Sequence, residues 1–162
     1  MGLIKRLTKI DDDIVDDLYV IYDESMQQLV SNFESNDAMR EAYKEFLADF
    51  ITRDNQVVLI EYNDEIPVAA LRAIESNQGK WFIEAVEVNP DYRHRGYGKR
   101  LLQDALSFLK NKKASIVECI ILKENELSKR LHSSCGFLST TDEPINCWDE
   151  LEEDSVLYRL VM

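Results

Sequence analysis

A chain of 162 residues, 45% hydrophobic and 31% charged, is long enough to bury the core of one globular domain. Its formal net charge of −12 argues against nucleic acid as a partner, because that binding rests on basic surfaces. No apolar run approaches the roughly 20 residues that a membrane span needs. The three cysteines (Cys119, Cys135 and Cys147) cannot all pair, form no C-x-x-C and lie at no metal-ligand spacing from the two histidines, so reduced thiols and no metal are expected. The opening residues Met1 to Arg6 carry no signal-peptide core, and Gly2 lacks the Ser or Thr four residues on that myristoylation favours; a cytoplasmic protein is expected.

In chain order, Leu3 to Thr8 reads as a strand, and Thr8 or Asp11 caps a helix whose apolar face runs Ile14, Leu18, Ile21, Tyr22, Ser25 and Leu29. A second helix starts near Asn36 or Asp37 and presents Met39, Ala42, Tyr43, Phe46, Leu47 and Phe50. Gln56 to Tyr62, Pro67 to Glu75 and Trp81 to Val88 are apolar runs separated by the turn residues Asn63-Asp64-Glu65 and Asn77-Gln78-Gly79, which predicts an antiparallel meander. Leu101, Leu102, Ala105, Leu106 and Leu109 mark an amphipathic helix, and Ser115 to Leu122 a strand after it; such a strand–helix–strand unit implies parallel pairing. Asn125 to Ser134 is a short helix closed by Gly136. Phe137 to Thr141 and Val156 to Met162 form a last hairpin, joined by a long acidic connection over 142–154 with Pro144 and Trp148, and loops of that length are often functional. The fold class expected is α/β, one domain over 1–162, with a mixed central sheet flanked by helices.

The stretch that carries chemistry is Trp81 to Leu109. After the strand and Asn89-Pro90 comes Arg93-His94-Arg95-Gly96-Tyr97-Gly98-Lys99-Arg100, a basic loop at a helix start in an otherwise acidic chain. Free backbone N–H groups and the positive helix end favour an anion there, and glycine lets main chain approach it closely. A Walker loop needs Ser or Thr after Gly98-Lys99, where Arg100 stands; a dinucleotide fingerprint needs a third glycine where Leu101 stands. A phosphate cradle of another kind is the reading.

The pattern R-x-x-G-x-G of Arg93 to Gly98, following Val86-Glu87-Val88 and Asn89-Pro90, resembles motif A of the GNAT superfamily of acetyl-CoA-dependent N-acetyltransferases. Asn125-Glu-Leu-Ser-Lys-Arg-Leu-His-Ser-Ser-Cys-Gly136-Phe137 resembles the family's N-x-x-A-x-x-L-Y-x-x-x-G-F segment. The resemblance implies a GNAT-like fold and direct transfer of acetyl from acetyl-CoA, as co-substrate, to a primary amine. It places the coenzyme pyrophosphate on Arg93, His94, Arg95, Gly96, Tyr97, Gly98 and Lys99, and the pantetheine arm along main-chain groups of Val86 and Val88, where an N–H near Val88 would stabilise the oxyanion. Asn125 either caps its helix or bonds the pantetheine. Lys129 and Arg130 are either phosphate partners or a solvated pair.

For the catalytic groups, Glu84 is the first candidate base, two residues before Val86 and, by alternation, on its face; a paired structural glutamate is the equal alternative. Glu87, expected to face the other way, is the weaker candidate, and deprotonation through water needs neither. His132 stands where the family commonly has a tyrosine acid, and is read either as that acid or as a packed residue. Tyr22, Phe33, Tyr43 and Phe46 are core or, by the resemblance, acceptor-pocket residues. The acceptor is a small amine or a protein amine, tilted toward a cationic one by the acidic chain, and dimers are common in the family. The rival readings are an acyl-CoA sensor without turnover and a plain nucleotide-binding domain, against which the missing magnesium ligands count.

Overall fold

The computed structural model describes residues 3–162; Met1 and Gly2, on which the myristoylation pattern bears, lie outside them. Seven strands form one sheet in the order β1-β2-β3-β4-β5-β7-β6, with β1 Leu3–Arg6, β2 Gln56–Asn63, β3 Ile66–Asn77, β4 Lys80–Val88, β5 Ile116–Leu122, β6 Leu138–Ser139 and β7 Ser155–Val161. All neighbours run antiparallel except β4 and β5, the pair joined through a helix, as the strand–helix–strand pattern implied.

Strands β2 and β3 are buried along nearly their whole length because helices cover both faces. On one face lie α1 (Asp12–Ile21), α2 (Asp23–Leu29) and α3 (Asn36–Ile51), which bury Leu18, Ile21, Met26, Met39, Leu47 and Phe50 against Val58, Ile60, Ala70 and Ile74. On the other lie α4 (Tyr97–Asn111) and α5 (Glu126–Ser134); there Leu101, Leu102, Ala105 and Leu109 meet Leu59, Leu71, Trp81, Val117 and Phe137. The side chain of Asp11 caps α1 through the Ile14 N–H at 2.9 Å, and Ser35 caps α3 through the Ala38 N–H at 3.0 Å.

Two local departures from the periodicity shape the site. The single helix expected from Ile14 to Leu29 breaks at Tyr22, whose ψ of 19° ends α1 and starts α2. Strand β4 also carries an extra residue. Arg72 pairs with Ala85 but Ala73 with Ile83, so Glu84 is bulged out of the ladder. Past the bulge the alternation is reset: Ile83, Val86 and Val88 join the α4-side core, whereas Ala85 joins the α1–α3 side.

Glu61 on β2 is wholly buried under the start of α4, where Oε1 accepts from Arg100 Nε at 2.9 Å and Oε2 has no partner. Burial raises its carboxyl above the ordinary range, and Arg100 only partly offsets this. A raised folded-state pKa means that ionisation costs more folded than unfolded, so stability is lost as pH rises from the unfolded carboxyl range through the folded one. Glu61→Gln, which keeps the acceptor and cannot ionise, is therefore expected to melt at the wild-type temperature below about pH 4 and higher than wild type at pH 8, by about 2–4 °C per kcal/mol gained. Thermal melts at the two pH values check this.

Candidate active site

The site is made by a sheet that comes apart. Strand β4 pairs with β5 only at Lys80↔Ile116, Trp81↔Val117 and Phe82↔Glu118. Beyond that β4 follows β3 to Val88 while β5 follows β7 to Leu122, and a wedge opens between them. The Asn89 N–H donates to Val68 O at 2.7 Å. By the alternation of an antiparallel ladder, Val88 and Val86 then turn their N–H and C=O groups away from β3 and into the wedge. A groove of about 600 Å³ runs along this edge, lined by Val86, Val88, Gly96, Lys99, Asn125 and Leu131 among others.

At its far end the groove meets the start of α4. Helices α1, α2, α3 and α5 each have an acidic residue in the first turn; α4 has none and no side-chain cap. Its first N–H groups are thus left to an outside acceptor. Gly96 precedes them at φ 84°, with nothing within 4 Å of where a Cβ would stand, so the approach is open. A Cβ on Gly98 would lie 3.0 Å from Val88 Cγ2, which is why this turn sits flush on the end of β4.

The cations of the loop are not equivalent. Arg93 is bound by both oxygens of Glu24 on α2 at 3.0 Å, and Arg100 is taken by Glu61. Arg95, stacked on Tyr92 at 4.9 Å, and Lys99 have no carboxylate partner among the described residues. Both are left uncommitted for a polyanion, but only Lys99 lines the groove, together with His94 and Tyr97; Arg95 is exposed on the loop and is not among the lining residues. Asn125 accepts from the Ser128 N–H at 3.1 Å and lines the groove as well, so its amide donors stay available.

The acids do not face as the alternation predicted. The bulge turns Glu84 to the α1–α3 side, away from Val86, where it forms a largely buried ion pair with Arg72. Glu87, expected to face oppositely, lies on this same side: its Oε1 accepts the Ser25 hydroxyl, and its Oε2 is buried without a partner. Burial pushes the Glu87 carboxyl up, while Ser25 and Arg93 pull it back part of the way. Glu87 borders the groove on the wedge and also a second cavity of about 320 Å³ among Tyr22, Met26, Phe33, Tyr43, Phe46 and Arg72. The four aromatics expected as core or pocket therefore all line this cavity. Cys147 of the 142–154 loop packs on the same side near Glu84, and burial pushes its thiol up to about 11.

His132 is 2% exposed and edge-on to Phe137; Ser128, Leu131 and Ser134 line the groove, and His132 does not. Its Nδ1 lies 2.8 Å from the Ser128 carbonyl, which can only accept, so Nδ1 carries the proton and Nε2 a lone pair. Burial lowers its pKa, disfavouring the doubly protonated form that an acid needs. The packed reading of His132 is the one the geometry carries. Arg72 and Ser25 were missed by sequence reasoning, although a lone arginine in the apolar run VAALRAI was a signal for a buried acidic partner.

Comparisons with known proteins agree with this architecture. No curated protein matches the sequence. Among solved structures, PaiA N-acetyltransferase from Thermoplasma acidophilum, crystallised with coenzyme A, is 16% identical with a TM-score of 0.73 over 99% of both chains. An acetyltransferase from Streptococcus agalactiae is 13% identical with a TM-score of 0.78, covering 99% of this chain and 98% of its own. The ribosomal-protein-S18-alanine N-acetyltransferase of Escherichia coli is 16% identical, with a TM-score of 0.68 over 99% of this chain and 94% of its own. These likenesses show the fold. The family model described as acetyltransferase (GNAT) family matches residues 16–137, and the protein therefore belongs to the GNAT family, an acyltransferase that uses acetyl-CoA.

Proposed function

We propose that the whole chain, 1–162, works as one N-acetyltransferase domain that passes acetyl from acetyl-CoA directly to a primary amine, with Glu87 receiving the amine proton. The observation that carries this is the position of Glu87, the carboxylate bordering both the groove on the wedge and the cavity under α2 and α3. The three unpaired cysteines support a cytoplasmic setting.

The cradle fits a diphosphate: uncapped N–H groups at α4, open space over Gly96, and the unpaired cations Arg95 and Lys99. The free edge of β4 fits an extended arm of alternating amides, with Val86 and Val88 offering main-chain groups and Asn125 its side-chain donors. When bound, the coenzyme supplies an acyl carbon activated by its thioester. An N–H on the β4 edge near Val88 stabilises the charge gathering on the thioester oxygen, an effect worth roughly 3–4 kcal/mol in other oxyanion holes.

An alkylamine with pKa near 10.4 needs roughly 4–5 kcal/mol to lose its proton at pH 7, so a base helps. Glu87 is raised toward working pH and has a free oxygen, whereas Glu84 is held by Arg72. As the amine nitrogen bonds to the acyl carbon, the carbon–sulfur bond breaks and its electron pair leaves with sulfur. Glu87 takes the ammonium proton before attack and releases it to solvent, then takes the second proton that the nitrogen sheds as the amide forms; the thiolate, with an ordinary thiol pKa near 8.5, takes a proton from solvent. No protein acid is required, consistent with His132 lying out of the groove.

Glu87→Gln is expected to lower kcat by about 10²–10⁴ and to abolish the acidic limb of the kcat–pH profile, with acetyl-CoA affinity kept. Ser25→Ala removes the hydroxyl that favours ionised Glu87, so that limb should move to higher pH. A normal rate for Glu87→Gln sinks the assignment, and coenzyme binding without turnover on any amine favours the sensor reading instead. Arg95→Ala with Lys99→Ala should weaken acetyl-CoA tenfold or more, as loss of charge-assisted phosphate bonds implies, with kcat at saturation little changed. His132→Phe should retain turnover.

A further inference from the structure

Resting on that reading, we infer that the amine acceptor is an α-aminoacyl unit, with a bulky apolar side chain and an uncharged carbonyl oxygen beside the amine, rather than a polyamine or aminoglycoside. The cavity on the α1–α3 side carries the argument. At about 320 Å³ it lies at the small end of ligand sites. Its walls are mostly apolar, and at its rim Leu29, Phe33 and Phe46 stay exposed on one side of the molecule, as ligand grooves do.

Two polar atoms in this apolar space lack partners, and Arg72 beside them is only partly engaged. Glu87 Oε2 is buried and unpaired, and so is the hydroxyl of Tyr22, a residue only 4% exposed. Arg72 gives Nε to Glu84 and one long bond of 3.4 Å to the Tyr43 hydroxyl; its other N–H donors have no acceptor among the described residues. The buried Tyr22 hydroxyl without an acceptor is costly, a ligand oxygen removes that cost, and the uncommitted Arg72 donors can bond the same oxygen. Arg72 pairs across the ladder with Ala85, so it is the diagonal neighbour of Glu87, about 7–8 Å away between backbones, and both side chains can reach one small molecule. The ligand thus presents an amine to Glu87 and an oxygen to Arg72 and Tyr22, with its apolar part toward Phe33 and Phe46.

Charge decides against the alternatives. Glu87 is the one carboxylate lining the cavity, and it is reserved for the reacting amine. A second ammonium would stand beside Arg72 with no counter-ion, since Glu84 is already engaged. The ring faces of Tyr22 and Phe46, suited in themselves to a cation, are covered by Arg72 at 5.4 and 5.3 Å. A free carboxylate is also disfavoured against a carbonyl, because Glu84 has balanced Arg72 and Glu87 adds negative charge. The chain's acidity does not extend into this cavity.

The test measures thiol release by the full chain with acetyl-CoA and leucinamide, glycinamide, leucine, isoamylamine, spermidine and a pentapeptide beginning with leucine. Leucinamide or the peptide should be the best acceptor, and their ratio tells a small amide from a peptide amino terminus as the source. Leucinamide should exceed glycinamide by about 10- to 100-fold in kcat/KM through side-chain burial, and isoamylamine by a similar factor through the oxygen. Arg72→Gln should bring the leucinamide-to-isoamylamine ratio toward one. Phe46→Ala, at a rim position that is 39% exposed, should reduce the leucinamide-to-glycinamide ratio. Spermidine equal to or better than leucinamide, or ratios unmoved by the two substitutions, overturns this acceptor class and leaves the acetyltransferase reading standing. Acetyl-CoA binding with no amine acetylated overturns both.

Discussion

Everything in this molecule depends on the parting of β4 and β5 after Phe82. A sheet edge in the middle of a protein is normally intolerable, since its N–H and C=O groups lie buried and unpaired. Here the edge is kept and given a use. The chain holds β4 straight against β3 while β5 is drawn off by β7, so Val86 and Val88 offer a ladder with no strand on it. The glycine-bounded start of α4 closes on one end of that wedge, and a Cβ at position 98 would crowd Val88 Cγ2 at 3.0 Å. What the wedge offers a ligand is backbone geometry more than any side chain.

The second determinant is how the protein distributes buried charge. Five arginines sit near the site and three are paired with acids: Arg72 with Glu84, Arg93 with Glu24 and Arg100 with Glu61. This pairing fixes elements relative to one another, the Arg93–Glu24 pair tying α2 to the loop before α4. It also leaves few groups uncommitted. Of the acids on the α1–α3 side of β4, it is Glu87 whose unpartnered oxygen is buried, and among the loop cations Arg95 and Lys99 keep their charge available. Function sits in what the pairing leaves over.

Much of this was legible in the residues. The leucine spacing of α4, the turn residues of the meander and the R-x-x-G-x-G loop each have a local physical cause, and they appear where that cause puts them. The Asn125 cap and the Gly136 stop likewise mark α5. What was not legible is non-local. A bulge at Glu84 carries no glycine to announce it, yet one inserted residue exchanges the facing of Glu84 and reverses the ranking of the two acids. The break at Tyr22 interrupts a face that reads as continuous. His132 occupies the expected place in its motif, but its ring turns toward Phe137, which spacing alone does not encode. The basic loop looked like four equivalent cations because the acids that claim two of them lie 69 and 39 residues away.

The sheet's two separate cores have an evolutionary corollary. Residues beside the groove on the wedge cluster with α4, α5, Trp81 and Val117, while those beside the second cavity cluster with α1, α2 and α3. The sheet separates them, but α2 reaches across: Glu24 holds Arg93 and Ser25 holds Glu87, so a change in α2 is felt on both sides. Helix α3 carries no ion pair to the loop before α4 among the described residues, which makes it the freer element for descendants to rewrite.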